Sequence, residues 1–368
     1  MARILIVGGY GAFGGRVAER LAREDWLEIV ITGRTETKAK QAAAVLALKA
    51  AARIQTAQLA AETTDAEQVR RLAPDIVINA SGPFQHLGYG LARATIAAGA
   101  HYIDLADARA HVRDFHILDR AARHAGVLAV AGASSVPALT AAVIDDLRPR
   151  FARLRSLVYG ISPGNSFDPG PATTASILNG LGRPFPIPFA GGTKTVYGWQ
   201  GLCRRRLPKL GRRLFGYCEV PDLDLFPARY PGLETVRFYA GTEVPLFHLS
   251  LWLLSWPCRF GLLPRPERLA ESLLWLKRRL SWLGSDRGGM FMTLAGNGPD
   301  GKETRIDWCL LAGCGHGPYV PAIASVIVAK KLARGELATR GAMACQGLFS
   351  LAEFMDEVKD LDIRAAAD

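Results

Sequence analysis

Gly9, Gly11 and Gly14 stand in the spacing G-x-G-x-x-G, written out as Gly9-Tyr10-Gly11-Ala12-Phe13-Gly14. At that spacing the first glycine permits a tight turn, the second lets the backbone approach a pyrophosphate, and the third lets the next helix pack closely on the preceding strand. The motif follows an apolar run at residues 4–7 and opens a helical pattern in which Val17 and Leu21 share a face. Backbone N–H groups and a helix dipole would thus point at the phosphates. A second apolar run ends in Thr32-Gly33-Arg34-Thr35, with no carboxylate at its tip. A carboxylate near that point serves the ribose 2′-hydroxyl of NAD, whereas an arginine accommodates the 2′-phosphate of NADP. Arg34, assisted by Thr35 and Lys38, suits the phosphate, with Glu36 serving NAD as the alternative, so NADP is the expected cofactor.

Three further loops carry groups able to move protons or hold a substrate. In Ala80-Ser81-Gly82-Pro83-Phe84-Gln85-His86, the segment Ser81, Gly82 and Pro83 shapes a turn beside the cofactor. His86 there is either a proton-exchanging group or an ordinary surface histidine. Asp107, with Arg109 two residues on, is the leading catalytic candidate; the competing reading makes Asp107 a helix N-cap. Ser134 and Ser135 follow a further apolar run and either approach the nicotinamide or cap the next helix. Hydride transfer is expected in a crevice between two domains, with Asp107 at its centre.

These residues need elements to position them. Apolar runs at 4–7, 28–32, 54–58, 75–79, 101–105 and 127–131 read as strands; helical patterns at 13–23, 35–48, 65–72, 88–98 and 110–124 read as their crossovers. That alternation predicts an α/β fold: an N-terminal Rossmann domain, a doubly wound parallel sheet, over residues 1–133. Beyond Ala133-Ser134-Ser135-Val136-Pro137 the pattern turns strand-rich, with runs at 156–161, 193–199, 235–239, 290–294 and 304–311. A second α+β mixed-sheet domain for substrate and dimerisation is expected over 134–317. A helical segment, 318–368, then returns toward the first domain.

At 368 residues, two cores are a better expectation than one. With 49% hydrophobic and 21% charged residues, the chain is globular rather than disordered. Six cysteines, without C-x-x-C pairs or histidines at ligand spacing, point to reduced thiols and no metal. The short apolar start suits a cytoplasmic protein, and the greasy stretch 247–263, broken by His248, Pro257 and Arg259, is too short to span a bilayer. The net charge of +11 gathers partly in Arg204-Arg205-Arg206, Lys209, Arg212-Arg213 and Lys277-Arg278-Arg279. These read either as solvated basic faces or as a surface for something acidic. No recognised nucleic-acid motif accompanies them. Trp252, Trp256, Trp275 and Trp282 beside basic clusters suit weak peripheral contact with a membrane or lipid, or else core and dimer contacts.

Taken together, Gly9-Tyr10-Gly11-Ala12-Phe13-Gly14, Gly82-Pro83-Phe84 with Gly88, Tyr102-Ile103-Asp104 and Ser134-Ser135-Val136-Pro137 resemble the saccharopine dehydrogenase-like NADP-binding proteins. The resemblance extends loosely into Ser162-Pro163-Gly164-Asn165, Gly198-Trp199, Val220-Pro221-Asp222 and Gly315-His316-Gly317-Pro318, which look like a bacterial subgroup. It implies an NAD- or NADP-binding first domain, a second α/β domain that closes over a small-molecule substrate, and a homodimer. It also implies the making or breaking of a C–N bond through an imine, or enoyl reduction on lipid chains. Ser166-Phe167-Asp168 departs from the basic residues common there, which weakens the case for a dicarboxylic amino acid such as saccharopine. Three functions follow: an NADP-dependent reductase of C=N bonds, an enoyl or carbonyl reductase of a lipid or polyketide-like substrate, and a non-catalytic NADP(H)-binding regulator.

Overall fold

Runs of Ile, Val and Leu lose the most by staying in water, and in the computed structural model they form the central strands of a sheet. These are β1 (Ala2–Val7), β2 (Leu27–Gly33), β4 (Ile76–Asn79), β5 (His101–Asp104) and β6 (Leu128–Ala131), with β3 (Arg53–Gln58) at the edge beyond β2. The structure describes residues 1–368, the side chain of His86 excepted. Further along come β7 (Arg153–Ser162), β8 (Pro184–Phe189), β9 (Gly192–Tyr197), β10 (Cys203–Leu207), β11 (Gly211–Tyr217), β12 (Thr235–Thr242), β13 (Gly288–Asn297) and β14 (Glu303–Ala312). β15 (Gly341–Ala344) and β16 (Ile363–Ala367) complete the set. The residues divide into two units: Met1–Val143 with Pro318–Glu357, and Ile144–Gly317 with Val358–Asp368.

In the first unit the strand order is β15-β6-β5-β4-β1-β2-β3, and every pairing is parallel. This is the doubly wound α/β arrangement, and the winding reverses between β1 and β4, where ligands of such sheets bind beyond the carboxyl ends of the strands. Strands β1, β2 and β4 are buried almost throughout, whereas edge strand β3 alternates polar residues and is not. The helix Val320–Ala333 is apolar on all sides up to Lys330 and Lys331 in its last turn and correspondingly sunk in this unit, with Ile323, Val326 and Val328 fully buried. Burial of each such side chain contributes about 1.5–3 kcal/mol.

A buried ion network pins this returning segment. Arg20, on the helix Gly14–Leu21, reaches both the carboxylate and the carbonyl oxygen of Glu357; its Nη2 lies 3.1 Å from Oε1. Lys330 meets Glu357 at 2.9 Å and Glu24 at 2.7 Å. Burial acts to raise the Glu24 carboxyl, but its hydrogen bond and charge contact with Lys330 outweigh that and hold it below the ordinary range.

The second unit is a mixed sheet of order β10-β11-β12-β7-β13-β14-β16, antiparallel except between β12 and β7, with a separate β8–β9 hairpin. Three sequence expectations change here. The division falls at Val143/Ile144 rather than at 133/134, because Leu139, Val143 and their neighbours continue into the first core. The segment 318–368 is not one helical return: it adds β15 to the first sheet and β16 to the second. The expected helix 110–124 breaks into Arg109–Arg113, a 3-10 stretch Asp114–Leu118 and Asp119–His124.

Candidate cofactor and active site

Where β1 ends, the amides of Gly8 and Gly9 donate to the Thr32 carbonyl at 2.9 and 3.1 Å, tying the glycine loop to β2. A Cβ on Gly14 would collide with the Gly8 carbonyl oxygen, so glycine alone lets the helix Gly14–Leu21 come this close to the strand. That helix has Phe13 at its N-cap position, no capping side chain, and no acid in its first turn. Its amide dipoles therefore keep their positive end for an anion, and the half-buried Ala12 leads into it. The Tyr10 ring lies over Gly33, where a Cβ would strike it, and its hydroxyl accepts the Thr35 N–H at 3.2 Å.

Arg34, Thr35 and Lys38 are all exposed just beyond β2. Gln58 donates to the Arg34 carbonyl at 3.0 Å, fixing the backbone from which the guanidinium extends. Glu36, the alternative ribose partner, is ion-paired to Lys40 at 2.7 Å. Backbone cradle and basic tip together fit a dinucleotide bearing a 2′-phosphate.

Across the switch point, Asn79 is buried at the end of β4. Its Oδ1 accepts from the backbone N–H and the hydroxyl of Ser81 at 3.1 and 2.5 Å, and its amide donates to Tyr102 at 3.0 Å. Gly82 and Pro83, joined by a cis peptide bond, stand exposed beyond it. His86 ends the 3-10 turn Phe84–His86; its side chain lies outside the described residues.

Asp104, fully buried at the end of β5, ties two loops together. Its Oδ1 accepts from Ala106 N–H at 3.0 Å and Gly132 N–H at 2.8 Å, and its Oδ2 faces His111 Nε2 at 3.2 Å. His111 is packed among Phe84, Tyr89 and Phe115. Cys345 stands close by, its thiol pushed well up by burial and by the Asp104 charge. From this anchored base the chain presents Asp107 to solvent. Asp107 caps no helix: the next one, Arg109–Arg113, has Ala108 at its N-cap position. Although Asp107 is open to solvent, the mass of protein around it desolvates its carboxyl and raises it above the ordinary carboxylate range; its own backbone N–H offsets part of this. Arg109 opens that short helix and is half-buried.

After β6, Ser134 and Ser135 are largely buried, and the Ser134 side chain makes no capping bond to the turn Ser135–Leu139. The capping alternatives for Asp107 and Ser134 are thereby removed. The sheet brings the glycine loop, Ser81–Pro83, Asp107 and Ser134–Ser135 to one edge, at the carboxyl ends of neighbouring strands. A depression of about 620 Å³ lined by Arg93, Gly99 and His124 lies instead where the chain enters β5 and β6, at the opposite edge. Sequence reasoning missed Asn79 and His111 as parts of the site. Asp104 entered only through the family resemblance, and its sole local signal was a carboxylate closing an apolar strand. All six cysteines are free, and no cluster of metal-ligating side chains occurs among the described residues.

Residues 4–130 match the family described as the saccharopine dehydrogenase NADP-binding domain. Comparison with curated proteins finds no match. Among solved structures, the apo histidine-tagged saccharopine dehydrogenase (L-Glu forming) from Saccharomyces cerevisiae is similar over 100% of both chains, at 15% identity and a TM-score of 0.70. That likeness is one of fold. A meso-dapdh variant with DAP from Clostridium tetani aligns over 98% of this chain and 99% of its own, at 13% identity and a TM-score of 0.48. The cradle, the Arg34 tip and the family match agree on NADP: residues 4–130 form an NADP-binding domain of the saccharopine dehydrogenase kind.

Proposed function

We propose that the protein catalyses NADP-dependent reduction of a C=N bond in a conjugate of an amine and a carbonyl compound, or the reverse oxidation, with Asp107 as the acid–base group. The observation that carries this is Asp107 itself: a solvent-open carboxyl at the end of β5, free of any capping duty, whose pKa is raised. C–N chemistry draws support from the family of the first unit and from the full-length fold shared with a saccharopine dehydrogenase. NADPH, when bound, supplies the hydride. A protonated Asp107 keeps the imine nitrogen protonated while the carbon is reduced, and takes the proton back in the oxidative direction. Arg109 holds a substrate carboxylate, and the Ser134 and Ser135 hydroxyls orient the ring of the cofactor. Asp168 is occupied, paired to Arg278 at 2.8 Å and accepting the Gly170 N–H at 2.9 Å.

The test is NADPH oxidation across a panel of amine and carbonyl pairs, with enoyl lipids as the comparison set. Asp107→Asn is expected to keep NADPH affinity and lower turnover by at least about a hundred-fold, the lower end of the range for acid–base groups. Turnover at the wild-type rate would remove Asp107 from the chemistry, and activity on enoyl lipids alone would replace the C=N reading.

A further inference from the structure

The helix Pro245–Arg259 in the second unit is apolar on two faces: Leu251, Leu254 and Cys258 pack on the core around Leu178, Leu181 and Trp199, and a second set of apolar side chains faces outward. His248 and Ser255 are fully buried, while Leu246 (57% exposed), Leu249, Leu253 (61%) and Phe260 (66%) form one outward stripe at helical spacing. The orientation is fixed from within. His248 packs on Trp199 with ring centroids 5.7 Å apart, and Gly182 lies so close that a Cβ there would strike the Ser255 carbonyl oxygen. Between Pro245 and Cys258 no residue carries a fixed charge. Downstream, the helix Ala270–Arg279 exposes Trp275 and Leu276, and Trp282 follows at 75% exposure. Arg265, Arg268 and Arg279 are exposed among these apolar groups, Arg279 with its guanidinium 5.3 Å from the Trp275 ring centroid.

We propose that this face docks on an anionic lipid surface, with the leucine stripe and the tryptophans entering the headgroup layer and the arginines meeting lipid phosphates. So many large apolar side chains exposed on two neighbouring stretches of chain are rare on proteins without a partner for them. Aromatic side chains mixed with arginine suit the boundary between headgroups and acyl chains. The charge pattern chooses lipid over a second copy. A two-fold contact is self-complementary, so it would set this basic face against itself, whereas anionic lipid neutralises it. The protein lies on the surface rather than crossing it, since among the described residues no helix is long and apolar enough to span a membrane.

The full-length protein, mixed with vesicles of phosphatidylcholine and phosphatidylglycerol, should co-sediment at low salt and not with phosphatidylcholine alone. The bound fraction should fall at least about ten-fold near 0.5 M salt. Leu249→Gln with Leu253→Gln should weaken binding to the mixed vesicles by about ten-fold or more. Arg265→Gln with Arg268→Gln and Arg279→Gln should remove the preference for anionic lipid. All these sites are exposed, so circular dichroism and NADPH affinity should stay unchanged and serve as the folding control. Absence of co-sedimentation, or equal binding to neutral vesicles, overturns the proposal. So does a dimer that the leucine substitutions dissociate in a protein that leaves vesicles untouched, because the face then belongs to a second copy.

Discussion

Arg34 projects into solvent just past β2, and the nearest rival for the ribose, Glu36, is held by Lys40. Replacing this one guanidinium should therefore reveal how the chain distinguishes its cofactors. Wild-type protein is expected to bind NADPH at least about ten-fold more tightly than NADH, a difference of about 1.4 kcal/mol that a charge-assisted phosphate contact can supply. Arg34→Asp should narrow or reverse the preference in a fluorescence titration of both nucleotides; equal affinities in the wild type would remove the role given to Arg34. Asp104 shows a different kind of residue-scale importance. It touches no solvent, yet it holds the start of the Asp107 loop to the start of the Ser134 loop through two backbone amides. Such a carboxylate positions chemistry rather than performing it.

Among the elements, the returning helix Val320–Ala333 depends on charges that a sequence reader would place in water. Glu357→Ala would leave Arg20 and Lys330 buried without their shared carboxylate, and a loss of about 3 kcal/mol is expected, as for other broken buried pairs. Urea unfolding followed by circular dichroism measures it; a change below about 1 kcal/mol would mean water already screens the network. β1, β2, β4 and β6 were legible because each is dominated by Ile, Val, Leu or Ala between turn signals and is buried by its neighbours. The glycine loop and Arg34 were legible for the same reason, since their spacing from those strands is local. Other parts were not. β10 and β11 carry Arg204-Arg205-Arg206 and Arg212-Arg213, a composition that reads as a solvated basic run. Arg213 is nevertheless buried, donating to Ser162 and to the carbonyl of Arg287. β8 alternates Pro184, Pro186 and Pro188 with Phe185, Ile187 and Phe189, and proline normally argues against a strand. Here the hairpin buries Phe185 and Ile187, while Pro184 and Pro186 stay exposed. β15 and β16 are short and rich in alanine, with no hydrophobic signal of their own; pairing partners far away in sequence make them strands. His111 belongs to the site only because the fold brings it to Asp104.

At the scale of the molecule, acid should weaken the protein through a residue with no catalytic role. His248 is fully buried with neither ring nitrogen hydrogen-bonded among the described residues. Burial pushes its pKa down to about 4, with a small offset from the nearby Phe215 backbone. The unfolded chain, with an ordinary histidine near 6.5, takes up the proton first as pH falls. Stability is therefore complete above about pH 6.5 and is lost between there and about pH 4, by roughly 3 kcal/mol. All tryptophans but Trp26 lie in the second unit, so tryptophan fluorescence in urea follows this loss. His248→Leu should flatten the profile across that window, and an unchanged slope would assign the acid sensitivity elsewhere. One further consequence comes from the order in which the strands are made. β15 lies beyond the whole 144–317 insert, so a ribosome delivers β6 long before the neighbour that covers it. At 5–20 residues per second the wait is roughly 10 to 40 s, during which the nascent first sheet has an open edge and an empty groove for the helix Val320–Ala333. The cradle for the nucleotide is made before the 144–317 insert, and the wall behind it arrives only after that insert. Cofactor supply during synthesis thus meets a half-built fold, and the newborn chain must be shielded from its neighbours until β15 closes the edge.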